Sequence, residues 1–139
     1  MLDGVAQALL APPVNVLRLS LHADGLAPRI INLAAWRGHL LARLERRVEL
    51  TADPVLAALH DELAAYPAPR AAAAKDVPRH VVAPVVPLEL ASPAGKLTLL
   101  GTVTVFGTPL DVSVSELALE SFFPADAETA ERLRRLTAR

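Results

Sequence analysis

At 139 residues the chain is the size of one domain, long enough to bury a core without covalent staples. Its formal net charge of −1 gives no overall pull toward nucleic acid or an anionic membrane, and the absence of cysteine excludes disulfides, thiolate-held zinc and thiol nucleophiles and fits a reducing, cytoplasmic setting. Hydrophobic residues make up 53%, yet no apolar run reaches the ~18 residues that would span a bilayer. The opening residues, Met1 to Pro13, lack the basic segment that begins a secretory signal.

Leu2 to Leu10 predicts a short helix stopped by Pro12-Pro13. Asn15 to Leu21 is a compact apolar segment that reads either as a helical turn or as a short strand. His22-Ala23-Asp24-Gly25 is a turn, with Gly25 able to take positive φ. From Pro28 the period becomes helical: Leu33, Trp36, Leu40, Leu44 and Val48 recur at spacings of three and four, with Ile30 and Leu41 beside them. Arg37, Arg43, Arg46 and Arg47 fall mostly off that stripe, and the helix is expected to end near Leu50. Asp53-Pro54 predicts an N-cap followed by proline in the first turn of another helix, with Val55, Leu56, Leu59 and Leu63 inward and Asp61 and Glu62 outward. Pro67 and Pro69 end it. Residues 67–84 are rich in Ala and Pro and aperiodic, and are expected to form a surface loop or linker within the domain.

The second half is organised around Gly95 to Pro124. Val85 to Leu90 predicts a first strand, and Ser92-Pro93-Ala94-Gly95 a turn. Leu97, Leu99, Gly101, Val103 and Val105 then alternate with Thr98, Leu100, Thr102, Thr104 and Phe106, the period of a long strand. Gly107-Thr108-Pro109 turns the chain, because Pro109 cannot donate to a ladder. A further strand, with room for a bulge, runs on to Pro124. Gly101 inside a strand marks a bend or the close approach of something packed against it, either a helix or a ligand. Asp126 caps a last helix reaching Arg139, with Glu128 early and Arg134 and Arg135 late, as the helix dipole favours. The fold class is α+β: helices, an antiparallel sheet of about three strands, and a closing helix, in one domain over residues 1–139.

The residues with chemistry are few. The four histidines, His22, His39, His60 and His80, stand at no metal-ligand spacing, and the contiguous His60-Asp61-Glu62 diverges around a helix. No Gly-x-Ser-x-Gly elbow, phosphate loop or dinucleotide fingerprint occurs, and Ser113 and Ser115 alternate along a strand. Neither a catalytic constellation nor a bound cofactor or metal is expected. Arg37, Arg43 and Arg47 can share a helical face as a nucleic-acid stripe, but Glu45 and Glu49 intrude, and a solvated face fits them better. Trp36, the sole tryptophan, reads either as a core anchor or as the wall of a ligand cavity. His39 and Arg43 follow it on nearly the same face, where a cation at the rim of an apolar cavity would hold a carboxylate head.

Two segments go further. Pro13 to Glu45 (PVNVLRLSLHADGLAPRIINLAAWRGHLLARLE) and Thr102 to Ala127 (TVTVFGTPLDVSVSELALESFFPADA) resemble the C-terminal ligand-binding region of MmyB-like transcription regulators. These are bacterial proteins with an N-terminal XRE-type helix-turn-helix and a PAS-like sensor. The resemblance implies a PAS-like antiparallel sheet wrapped by helices, holding a small hydrophobic, fatty-acid-like effector that couples to a DNA-binding half. Arg18, Trp36, His39, Leu40, Arg43, Val103, Val105 and Phe106 are the expected ligand-binding residues, chosen on the chemistry above. Family members carry the helix-turn-helix and the opening strands of the sheet ahead of the point where this chain starts. The chain is therefore expected to be a sensor piece, a shortened gene product or a trimmed form, making no direct contact with DNA or membrane. Its sheet would keep an open edge, which a second copy is expected to cover in a symmetric homodimer. The competing expectation is a dimerisation or interaction module with a filled core and no ligand.

Overall fold

A computed structural model describes residues 4–67, 85–105 and 118–138. They fall into two compact units, Met1–Val86 and Pro87–Arg139. Together they comprise five α-helices and a three-stranded antiparallel sheet among the described residues, so the chain is α+β.

The first unit is helical. Its elements are α1 (Gln7–Leu10), α2 (Val16–Leu21), a 3-10 turn (Ala27–Arg29), α3 (Leu33–Thr51) and α4 (Pro54–Ala65). The undecided segment after Pro13 is helical because Asn15 caps it: its side chain accepts from the backbone N–H groups of Leu17 and Arg18, each at 3.0 Å. The following turn contains Gly25, as expected, but not for the expected reason. Gly25 does not have positive φ; instead a Cβ there would lie 2.3 Å from the Leu19 carbonyl oxygen, an approach only glycine permits.

The long helix begins at Leu33 rather than at Pro28, because Pro28 sits inside the 3-10 turn and Ile30 and Ile31 separate that turn from Asn32. Its stripe packs inward as the period predicts, with Trp36, Leu40 and Leu44 buried, as are Leu19, Leu21, Ala27, Ile30 and Leu63 of the same unit. The helix ends at Ala52, which takes the left-handed conformation at φ 52°, and Asp53 then opens α4 by accepting from the Val55 N–H at 2.8 Å. On α4 two expectations fail. Val55 is largely exposed rather than inward, and Glu62 turns toward α2 instead of outward. Residues 68–84 lie outside the described segments.

The second unit holds β1 (Leu88–Ser92), β2 (Gly95–Val105), β3 (Ala118–Pro124) and α5 (Ala127–Thr137), with the strands in the order β1-β2-β3. The first strand starts three residues later than the sequence suggests, after Pro87, whose nitrogen has no hydrogen to donate. Ser92 and Gly95 close the turn between β1 and β2: the Ser92 hydroxyl donates to the Gly95 carbonyl at 2.7 Å and accepts from the Ala94 N–H at 3.2 Å. Cross-strand pairing places Leu88 opposite Leu99 and Leu90 opposite Leu97, so these four side chains share one face, and all are buried. Farther along β2 the same face carries Gly101 and Val103, opposite Phe122 and Glu120 of β3. The expected turn at Gly107-Thr108-Pro109 and the strand residues up to Leu117 lie outside the described segments.

Helix α5 is tied to β2 through its first turn. Asp126 caps it by accepting from the Thr129 N–H at 2.6 Å, and the fully buried Thr129 hydroxyl accepts from the Thr98 N–H at 3.1 Å. Arg132 adds a bond to the Lys96 carbonyl and an ion pair with Glu128. The Asp126 carboxyl is held below its ordinary value, chiefly by the Thr129 backbone N–H.

Candidate ligand-binding residues

Side chains of the helical unit with chemical character converge at two places. The first joins α2 to α4. The Arg18 guanidinium grips the Glu62 carboxylate with two parallel bonds, Nε to Oε1 at 2.8 Å and Nη2 to Oε2 at 2.6 Å. The Tyr66 hydroxyl donates to the same Oε1 at 2.8 Å. Three donors on one carboxylate pull the Glu62 carboxyl down to about 2, the Arg18 hydrogen bonds contributing most and the Tyr66 hydroxyl next. Arg18 is correspondingly raised by Glu62, and the Tyr66 phenol is raised by burial and by its bond to that carboxylate. His22 stands edge-on to the Tyr66 ring, with centroids 5.2 Å apart.

The second place joins α2 to α3. The Trp36 indole, only 5% exposed, donates its N–H to the Ser20 hydroxyl at 3.1 Å. Its ring stacks on His39 at 5.8 Å between centroids. Ser20 and Arg18 are two residues apart on α2, so this short helix carries a partner in each group. Arg37 closes the far end of α4: its Nη2 donates to the carbonyls of Leu63, Ala64 and Tyr66 at 3.3, 2.6 and 3.3 Å. That contact removes Arg37 from the conjectured nucleic-acid stripe, while Arg43, Arg46 and Arg47 are exposed.

Of the residues expected to bind a ligand, Arg18, Trp36, His39, Leu40 and Arg43 all lie in the helical unit. Leu40 is buried one turn after Trp36, His39 is half-buried, and Arg43 is exposed one turn beyond His39. Val103 is in the sheet unit and 44% exposed. Phe106 and the Val105 side chain lie outside the described residues. Glu62, Tyr66 and Ser20, which sequence reasoning passed over, are the partners that orient Arg18 and Trp36. No local signal marks the pairing of Arg18 with Glu62, which are 44 residues apart. Among the described residues no three of His, Asp and Glu form a metal-holding group, and no helix is long and apolar enough to cross a membrane.

An α+β chain whose polar side chains hold helices together around an aliphatic, tryptophan-anchored core has the makings of a binding domain. The family model of the MmyB-like transcription regulator ligand binding domain matches residues 1–136, and the chain belongs to that family. It is thus a ligand-binding domain of transcription regulators, as the resemblance implied. No curated protein and no solved structure matches it.

Proposed function

We propose that this domain senses a small hydrophobic effector with an acidic head, of the fatty-acid type, and passes its occupancy to a DNA-binding helix-turn-helix that is no part of these residues. The observation that carries this reading is Arg18. Its guanidinium already holds a carboxylate through both Nε and Nη2, on the same short helix whose Ser20 orients the buried Trp36. A forked cation beside an aliphatic core supplies the two features an acyl ligand needs. The proposed lining in the helical unit is Arg18, Trp36, His39, Leu40 and Arg43. A cytoplasmic homodimer completes the reading.

A second reading is supported by the far half of the hairpin. Val103, Leu119, Phe122 and Phe123 are each between 43% and 53% exposed, an unusual density of apolar side chains on two adjacent strands. On this reading the domain is an interaction module that buries those residues against another chain. Native mass spectrometry of the purified chain, alone and with added decanoic acid, separates the two. A complex with one acyl chain per protomer supports the sensor. A dimer that takes up no acyl chain at any concentration overturns it in favour of the module.

A further inference from the structure

The arrangement of Arg18, Tyr66 and Glu62 has more donors than a helix-to-helix ion pair requires. An Arg fork and a phenol converge on a single carboxylate, at 2.8, 2.6 and 2.8 Å. This is the geometry of a carboxylate-recognition site, occupied by a side chain of the same protein. We propose that Arg18 and Tyr66 form the cradle for the effector's carboxylate, and that Glu62 is a built-in competitor which the effector displaces. This inference rests on the acyl-sensor reading and names the head-group residues and the contact that opposes binding.

Three features favour exchange over a purely structural role. The cradle is open to solvent, with the Arg18 and Glu62 side chains 44% and 37% exposed, so an incoming carboxylate can reach it and the released Glu62 can be hydrated. The swap replaces one carboxylate by another, leaving all three donors satisfied and the local charge unchanged once Glu62 has moved into water. Exposed ion pairs contribute little to folding, so its loss is tolerable if an apolar tail is buried in return. The end of α4 does not depend on Glu62 alone, because Arg37 independently holds the carbonyls of Leu63, Ala64 and Tyr66. Tyr66 therefore stays in place as a donor when Glu62 leaves. The release of Glu62 also gives binding a mechanical consequence, since it unties α2 from α4 at that point.

The test compares the binding of decanoic acid with that of decanol, which has the same chain and no carboxylate, in the wild-type chain and in Glu62→Gln. The apparent affinity of a site that is occupied from within falls by the fraction of time it is free. Removing the competing charge is therefore expected to tighten decanoic acid binding by about tenfold, while decanol is unchanged. Glu62→Asp, whose shorter side chain cannot reach the cradle as well, should give a smaller gain of the same kind, and Arg18→Gln should abolish the preference for the acid. Thermal melts confirm that each variant is folded. Unchanged or weaker acid binding in folded Glu62→Gln, or an equal gain for both ligands, overturns the inference and leaves the three residues as a clasp. If the wild-type chain binds neither ligand, the acyl-sensor reading itself is overturned; if it binds both and the variants behave alike, only the cradle is.

Discussion

Phe122 lies across from Gly101 in the β2–β3 pair, with its ring so close that a Cβ on Gly101 would sit 3.3 Å from the Phe122 Cε1 atom. The closest approach to the glycine inside this strand comes from its own cross-strand neighbour rather than from a helix. The ring covers backbone that would otherwise be bare, which is how an aromatic side chain repairs the weakness of a glycine in a sheet. Phe122→Ala is expected to cost about 1 kcal/mol in chemical denaturation. Gly101→Ala should cost less, because the half-exposed ring can shift by the few tenths of an ångström required. The two effects should be non-additive in a double-mutant cycle, since both changes act on the same contact.

Trp36 is the only tryptophan in the chain and is buried, so its fluorescence reports on the helical unit alone. Its emission is expected to be blue-shifted in the folded protein and to move red on unfolding. Ser20→Ala removes the hydroxyl that accepts from the indole N–H and should cost about 1–2 kcal/mol. Trp36→Ala, which also empties the space between α2 and α3, should cost about 3–5 kcal/mol.

Acid should weaken this fold through Glu62, though modestly, because the pair is part-exposed and screened by solvent. Its carboxyl titrates at about 2, against an ordinary 4.5, because Arg18 and Tyr66 stabilise the charged form. A carboxyl whose pKa is lower in the folded state stabilises the protein fully above its unfolded value and loses that contribution as pH falls from about 4.5 toward 2. Asp126, held down by the Thr129 N–H, and Glu131, held down by Arg134 and then Arg135, act in the same direction. The melting temperature of the wild-type chain should therefore fall across that range. The gap between wild type and Glu62→Gln, widest near pH 6, should close by pH 2.

Ala52 terminates α3 in a conformation that disfavours any residue with a Cβ, at φ 52° and ψ 28°. Glycine is the preferred residue at that position of a helix end. Ala52→Gly is expected to stabilise the chain by about 0.5–1 kcal/mol, the relief of strain exceeding the added freedom of the unfolded chain. A thermal melt reads this directly, and a loss of stability would show that the α3–α4 corner draws on the alanine methyl instead.

Much of the architecture was written in local pattern. The three-and-four spacing of Trp36, Leu40 and Leu44 gave α3 its buried stripe, Asp53-Pro54 and Asp126 marked two helix starts, and the alternation of Leu97 and Leu99 with Thr98 and Leu100 marked β2. The cap at Asn15 is the same kind of local signal for α2. The segments Pro13 to Glu45 and Thr102 to Ala127 carried the family.

What the linear pattern left open was which polar side chains meet. Glu62 read as outward on its helix, and Arg18 as a ligand-binding residue on a segment that was either a helical turn or a strand. Folding brings them together across 44 residues, and only then do they and Tyr66 make a site that holds a carboxylate. Periodicity records which face of an element avoids water, because that preference acts residue by residue. The partner of a charged group is decided by how whole elements pack, and no spacing along the chain encodes it.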